Sequence, residues 1–230
     1  PVRHFKWPAL NQFKNLITDF IPVARYSDML LNPGKNFTFN GQTYQYPNIK
    51  LVYWAGGNPF HHQMNLSKLR KATFKPDTII TNEIWWNSLA RHADIIFPTT
   101  TTLERNDIGF RHWEQTVSPM HKAIDPIGNS RNDFDIFSLI SEKLGFKKQF
   151  TENKNEEEWL KTLWDEAKES ARENNFYLPD FDQFWNGGFF EVLKPTHEQI
   201  LMEDFVKKPK QFPLSNRSKK IEIFSDEVDS

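Results

Sequence analysis

The strongest constraint on this chain is a threefold alternation. Ile49-Lys50-Leu51-Val52-Tyr53-Trp54-Ala55, Thr78-Ile79-Ile80-Thr81 and Asp94-Ile95-Ile96-Phe97 are short runs rich in β-branched and aromatic residues, the composition of strands. The first reads as a buried strand and ends abruptly at Gly56-Gly57-Asn58-Pro59. Between the runs lie a short amphipathic helix, Leu66 to Ala72, and a second short helix, Asn87 to His92. Pro76-Asp77 marks a turn and Pro98 closes the third run. Strands alternating with helices at spacings of roughly 20–25 residues build parallel βαβ units with right-handed connections.

The fold class expected is therefore α/β: a mostly parallel sheet flanked by helices, Rossmann-like, with an added helical segment and a returning C-terminal strand. Residues 1–48 form an irregular lead-in. Asn15 to Met29 could hold a helix broken at Pro22. Phe37-Thr38-Phe39 and Thr43-Tyr44-Gln45-Tyr46 flank Asn40-Gly41, the signature of a hairpin with a type I′ turn. Residues 49–150 form the α/β core. Within them, 104–130 reads as a loop, and Asp133 to Leu144 as a helix with Phe134, Phe137, Ile140 and Leu144 at helical spacing and Gly145 as its stop. Residues 151–212 read as a helical and loop insertion, with a long helix from Glu156 to Asn174 and a further turn at Asp180 to Trp185. Residues 213–230 return to the core through Lys220-Ile221-Glu222-Ile223-Phe224, which alternates like a strand.

With 38% hydrophobic and 15% aromatic residues in 230, the chain can bury a core. Twenty-nine Lys and Arg balance thirty Asp and Glu, so no basic field favours nucleic acid. The absence of cysteine excludes disulfides, a cysteine nucleophile and a Cys-type zinc site. No apolar run is long enough to span a membrane. The first residues, Pro1-Val2-Arg3-His4, carry neither an initiator Met nor a signal-peptide pattern, and the expectation is an internal fragment.

Ligands of open α/β sheets bind beyond the carboxyl ends of the strands, and three candidates lie there. Gly56-Gly57-Asn58-Pro59 lets a phosphate or pterin approach the backbone, or is an ordinary tight turn; it lacks the spacing of an NAD-binding loop. Thr81-Asn82-Glu83 places a carboxylate where nucleotide folds hold a ribose or a base edge, or a solvated strand end. Leu103-Glu104-Arg105-Asn106-Asp107 offers Arg105 to a phosphate, or is a salt-bridged loop. His61 and His62 are adjacent and rarely share a metal. His92, His112, His121 and His197 are scattered, with no metalloprotease spacing. There is no nucleophile elbow. The many tryptophans and phenylalanines read as core and interface.

The run Lys50 to Gln63, containing Gly56-Gly57-Asn58-Pro59-Phe60-His61-His62, resembles the bis-molybdopterin-guanine-dinucleotide oxidoreductases of the dimethyl sulfoxide reductase family. The resemblance continues in order through Phe20 to Arg25, Ala90 to Thr101, Leu103 to Asp107, Arg131 to Phe137, Leu178 to Trp185 and Lys220 to Ser225. It is strongest toward the biotin sulfoxide and trimethylamine N-oxide reductases. It implies the third, α/β domain of a longer four-domain enzyme, without the metal-ligating segment and without turnover of its own. The implied cofactor is Mo-bis(molybdopterin guanine dinucleotide), one guanine dinucleotide arm of which this domain binds. The implied reaction is oxygen-atom transfer from an S-oxide or N-oxide such as biotin sulfoxide, methionine sulfoxide, dimethyl sulfoxide or trimethylamine N-oxide. An electron-donor protein, a cytochrome or flavoprotein, is expected, and the compartment is bacterial periplasm or cytoplasm.

Carried over by position, Gly57, Asn58 and His62 line the phosphates and pterin side; Asn82 and Glu83 meet the guanosine, with Glu83 where the family more often has Asp. Arg105 clamps phosphate or guanine. Asp135 accepts from the guanine N1–H and amine, with Asp133 as the competing choice. Thr99, where alanine is frequent, and the Phe110 to Trp113 stretch depart from the family pattern and border the expected substrate funnel. A formate dehydrogenase or nitrate reductase domain, or a non-catalytic nucleotide-binding module, are the alternatives.

Overall fold

The computed structural model describes residues 7–10, 14, 20–110, 116–192 and 200–224. The part of the expected first helix over residues 15–19, and Arg111 to Trp113, His112 and His197, lie outside them. In chain order the elements are α1 (Tyr26–Leu31), β1 (Asn36–Phe39), β2 (Gln42–Gln45), β3 (Leu51–Ala55), α2 (Pro59–His62), α3 (Leu66–Thr73), β4 (Thr78–Glu83), β5 (Ile95–Pro98), β6 (Asp107–Phe110), β7 (Thr116–Met120), α4 (Asp133–Lys143), α5 (Lys147–Thr151), α6 (Glu156–Glu173), α7 (Phe181–Gly187), β8 (Phe190–Glu191) and α8 (Glu203–Lys207).

The Asn40-Gly41 hairpin forms as its sequence requires: both residues have positive φ, 48° and 71°, as a type I′ turn demands. Phe37 pairs across the turn with Tyr44, and its ring stacks 4.4 Å from that of Tyr46.

β3, β4 and β5 form one parallel sheet with β4 in the middle. The order explains a correction: the run beginning at Ile49 is an edge strand, not a buried one. Leu51 stays 54% exposed, whereas β4 carries the buried side chains Ile79, Thr81 and Asn82. Helix α3 joins β3 to β4. It is capped by Asn65, whose side chain accepts from the Lys68 N–H at 3.1 Å, and it buries Leu69 and Ala72 completely. The expected second helix is a single 3-10 turn, Ala90–His92. Asp94 secures the start of β5 by accepting from the Ile79 N–H at 2.8 Å.

The expected loop at 104–130 instead contains β6 and β7, which pair antiparallel, with β8 on the far side of β7. Gly109 and Pro119 disguise these strands in the sequence. Gly109 packs directly under a neighbouring side chain: a Cβ there would sit 2.9 Å from the Met120 sulfur, which would have to shift. α6 begins with a capping box between Asn155 and Glu158 and lays Trp164, Ala167 and Ala171 against Val117, Leu178, Phe184 and Val192. Trp164 is fully buried, stacks 3.7 Å from Phe184, and donates its indole N–H to the Pro179 carbonyl at 2.9 Å. That satisfies the one polar atom burial would otherwise strand.

Helix α4 matches its expected span and ends at Gly145, φ +82°. Its deepest residues are Ile136, Ser138 and Ser141, while Leu144 is exposed. The returning strand expected at Lys220–Phe224 does not form over those residues. Ile223 is fully exposed, so alternation without a partner edge produced no strand.

Candidate functional site

The carboxyl ends of β3, β4 and β5 open into one cleft of about 800 Å³. Gly56, Gly57, Asn58, His61 and His62 follow β3; Asn82, Glu83, Ile84 and Trp85 end β4 and continue from it; residues 99–103 and Arg105 follow β5; and Asp133 reaches in from the start of α4. The structure thus brings together Gly57, Asn58, His62, Asn82, Glu83 and Arg105. Asp135 is not among the lining residues. It faces a neighbouring depression with Arg131, Lys148 and Glu156, while its competitor Asp133 lies in the cleft. Two positions on a helix turn the side chain through about 200°, which a spacing argument alone does not resolve.

Each member of the site is positioned by its own local chemistry. Gly56 and Gly57 both adopt positive φ, 82° and 72°, and a Cβ at either would meet nothing within 4 Å. The backbone path therefore demands glycine, and open space faces it. Asn58 is 7% exposed. Its Oδ1 caps α2 by accepting from the Phe60 N–H at 3.0 Å, and Pro59 supplies the first helical residue. Its Nδ2 is buried without an acceptor. A buried donor left unpaired is costly, so this atom marks where an acceptor belongs.

Asn82 is the pivot of the floor. It accepts from the Tyr53 hydroxyl at 2.8 Å and donates to Asp133 at 2.7 Å. Burial, with the Asp133 carboxylate adding to it, pushes the Tyr53 phenol above its usual range, so Tyr53 remains a neutral donor. Glu83 ends β4 and accepts from the Ile84 N–H at 3.1 Å.

The loop after β5 is tied by a residue the sequence did not single out as the organiser. Glu104 is buried and accepts from the Thr101 N–H and hydroxyl, both at 2.7 Å, from the Ile127 N–H at 2.6 Å and from the Ser130 hydroxyl at 3.4 Å. These bonds, the Thr101 backbone first, hold its carboxyl at about 2. The knot aims Arg105, whose Nε and Nη2 donate to Asp107 at 3.3 and 3.1 Å and whose Nη1 donates to the Thr100 carbonyl at 3.1 Å. Among the described residues no bond takes the second N–H of either terminal nitrogen, which leaves each a donor for a phosphate or carboxylate. Among the described residues no helix is long and apolar enough to cross a membrane.

With this geometry in view, the comparisons with known proteins are pointed. The family profile described as molybdopterin oxidoreductase matches residues 6–143. Over 184 residues the chain is 44% identical to a biotin sulfoxide reductase of Cereibacter sphaeroides, covering 80% of this chain and 25% of that protein. Over 213 residues it is 42% identical to a trimethylamine-N-oxide reductase of Haemophilus influenzae, covering 90% and 26%. A dimethyl sulfoxide/trimethylamine N-oxide reductase of Cereibacter sphaeroides is 40% identical over 212 residues, covering 91% and 26%. The chain thus spans about a quarter of the length of these relatives. Among solved structures, acetylene hydratase from Pelobacter acetylenicus superposes with a TM-score of 0.50 at 14% identity, covering 80% of this chain and 23% of that one, a likeness of fold.

Proposed function

The chain belongs to the molybdopterin oxidoreductase family, and on that premise we propose that it is the α/β domain holding one guanine dinucleotide arm of the cofactor in an enzyme that reduces S-oxides or N-oxides. The observation that carries the reading is one cleft at the strand ends gathering Gly57, Asn58, His62, Asn82, Glu83 and Arg105. The names of its relatives favour the oxide reductases over a formate dehydrogenase or nitrate reductase.

The residues present fit such a group. The buried, unpaired Nδ2 of Asn58 wants an anionic oxygen. The open space before Gly56 and Gly57 admits a phosphate against the backbone. Arg105 arrives with unused N–H groups and pre-oriented by Asp107 and Thr100. In this reading Gly57, Asn58, His62 and Arg105 bind the phosphates. Asn82 and Glu83 meet the guanosine. Asp133, in the cleft and held by Asn82, or Asp135 beside it takes the two-donor edge of the base. When bound, the cofactor supplies the oxygen-atom and electron transfer. The share of this chain is to bind, orient and desolvate one arm, with Glu104 keeping the Arg105 loop in place.

The test is oxidation of reduced viologen by the full-length protein, isolated with its molybdenum, against biotin sulfoxide, methionine sulfoxide, dimethyl sulfoxide, trimethylamine N-oxide and nitrate. Turnover of an S- or N-oxide is expected, and relative kcat/KM values name the preferred one. Turnover of nitrate alone moves the protein to another branch, and molybdenum-loaded protein inert toward the whole panel sinks the oxide-reductase assignment.

A further inference from the structure

Helix α6 opens on three consecutive glutamates that do not behave alike. Glu157 is exposed and accepts from Lys161 one turn on at 2.9 Å. Glu158 is exposed and closes the capping box with Asn155. Both are ordinary duties of a first helical turn. Glu156 is half-buried and is not among the residues that line the cleft, yet it is bonded toward the loop that carries Arg105. Its Oε2 accepts from the Asn132 side-chain amide. Asn132 stands at the N-cap of α4 but makes no side-chain cap bond to that helix, the usual task of an asparagine there. Its Oδ1 accepts instead from the Thr100 hydroxyl at 2.7 Å. Thr100 is buried, and its carbonyl accepts from Arg105 Nη1 at 3.1 Å. A chain of three bonds thus runs from the start of α6 to the guanidinium. A second route is shorter: Glu156 also accepts from the backbone N–H of Asn106, the residue after Arg105. Burial pushes the Glu156 carboxyl up; the Asn106 N–H and Arg105 oppose this, and Asp135 and Asp107 add to it. An exposed glutamate at the same turn would avoid that burial altogether.

We propose that Glu156 is a positioning residue for Arg105: through Asn132 and Thr100 on one side, and through the Asn106 backbone on the other, it fixes the direction of the guanidinium at the cleft. The inference rests on the reading above in which Arg105 holds an anionic part of the cofactor arm, and it deepens that reading. Asp107 cannot do this alone. It lies two residues from Arg105 and moves with the same loop, so its bonds orient the guanidinium only within that loop. Glu156 ties the loop to two other elements, the start of α4 and the start of α6. Without it the Asn132 amide loses its acceptor, the Thr100 carbonyl is freer to turn, and Arg105 turns with it. Partners that orient a binding group from behind commonly matter by ten- to a hundredfold, roughly, without touching the ligand.

The experiment follows the rate at which the full-length holoenzyme releases cofactor in urea below its unfolding transition, read as molybdenum and, after hydrolysis, GMP passing an ultrafilter. Glu156→Ala is expected to speed release roughly tenfold. Glu156→Gln, which keeps an acceptor of the same reach, is expected to recover part of the loss. Glu157→Ala, next in sequence and exposed, is expected to stay within about twofold of wild type. Arg105→Ala is expected to speed release by itself, and Glu156→Ala added to it to speed release no further, because residues that act through one another are not additive. Effects that multiply in the double variant overturn the inference, since Glu156 would then act on the fold and not through Arg105. Release unchanged in Glu156→Ala but faster in Arg105→Ala overturns it while the reading of Arg105 stands. Release unchanged in Arg105→Ala overturns both. Should Glu156→Ala fail to fold, Glu156→Gln combined with Arg105→Ala completes the same comparison, with the same outcomes deciding it.

Discussion

In the parallel unit, the buried groups at the strand ends are largely polar: Asn58, Thr81, Asn82, Thr99, Thr100 and Glu104. In the unit built on β6, β7 and β8 with α6 and α7, the buried groups are Val117, Trp164, Ala167, Ala171, Leu178, Phe184 and Val192. The strand ends of the first region are shaped by a directed hydrogen-bond network lying over an apolar layer of Leu69, Ala72, Ile79, Leu89 and Ala90, whereas the second region is held by contact area and ring stacking throughout. The contrast separates two tasks. A cleft proposed to receive phosphates needs donors held in fixed directions, and bonds that each require a particular partner supply them. The aromatic core beside it carries stability by non-directional burial and contributes no group to the cleft. Substitutions should therefore fail differently in the two regions: by unfolding in one, by misplacement of donors in the other.

The largest effect is expected at the centre of the aromatic core. Trp164→Ala removes a fully buried ring and its stack on Phe184, and the usual cost of such a truncation is about 3–5 kcal/mol. Urea unfolding should show a midpoint shift of that size. A loss below about 1 kcal/mol would mean that the antiparallel unit is not where stability resides, and the contrast drawn above would collapse.

Next comes the knot beneath Arg105. The folded Glu104 carboxyl sits at about 2 against an ordinary value of 4.5. A depressed carboxyl contributes stability that is fully present above the ordinary value and is lost as pH falls from there toward the folded value. Glu104→Gln should therefore lower the melting temperature at neutral pH, and its difference from wild type should shrink between pH 4.5 and 2. Thermal scans of both proteins across that window check this. A constant difference would mean that the loss is one of packing rather than of charge-assisted bonds. Arg105→Ala is expected to leave folding nearly intact while cutting retained molybdenum and GMP, with a loss in binding of about 1.5–3 kcal/mol for a charge-assisted contact. Arg105→Lys should not restore it, since an ammonium cannot hold Asp107 and a phosphate in one plane. Unchanged cofactor content in both would remove Arg105 from the site.

Much of this division was legible in the sequence. The parallel unit announces itself because three apolar runs with a helix between the first two leave few alternatives, and Asn40-Gly41 dictates its turn locally. Gly57, Asn58, Asn82, Glu83 and Arg105 were readable because strand ends in such sheets converge by topology, whatever the side chains do, whereas His62 came only with the family resemblance. What escaped depends on contacts that sequence spacing does not carry. β6 and β7 contain Gly109 and Pro119, which read as loop residues until Met120 is seen against Gly109. Lys220–Phe224 alternates like a strand but finds no edge to pair with. Asp133 and Asp135 are equivalent as a pattern, and only the bond from Asn82 separates them. Glu104 was visible as one charge in a polar run, but its partners Ile127 and Ser130 lie more than twenty residues away.

The smallest expected effect tests the comparison from the side of the sheet edge. By composition β3 should be core, yet as an edge strand it leaves Leu51 more than half exposed. Leu51→Ala should cost about 1 kcal/mol or less, well below the loss at Trp164, because most of the side chain is already in contact with solvent and its removal opens no cavity. Urea unfolding of the 230-residue chain is the direct check. A cost near that of Trp164→Ala would mean that Leu51 is anchored in the apolar layer of Leu69, Ala72, Ile79 and Leu89 under the parallel sheet rather than lying at an exposed edge. If instead the cost is small in this chain but large in the full-length protein, the missing burial is supplied by the three quarters of the relatives' length that this chain does not span, and Leu51 marks where that remainder rests on the sheet.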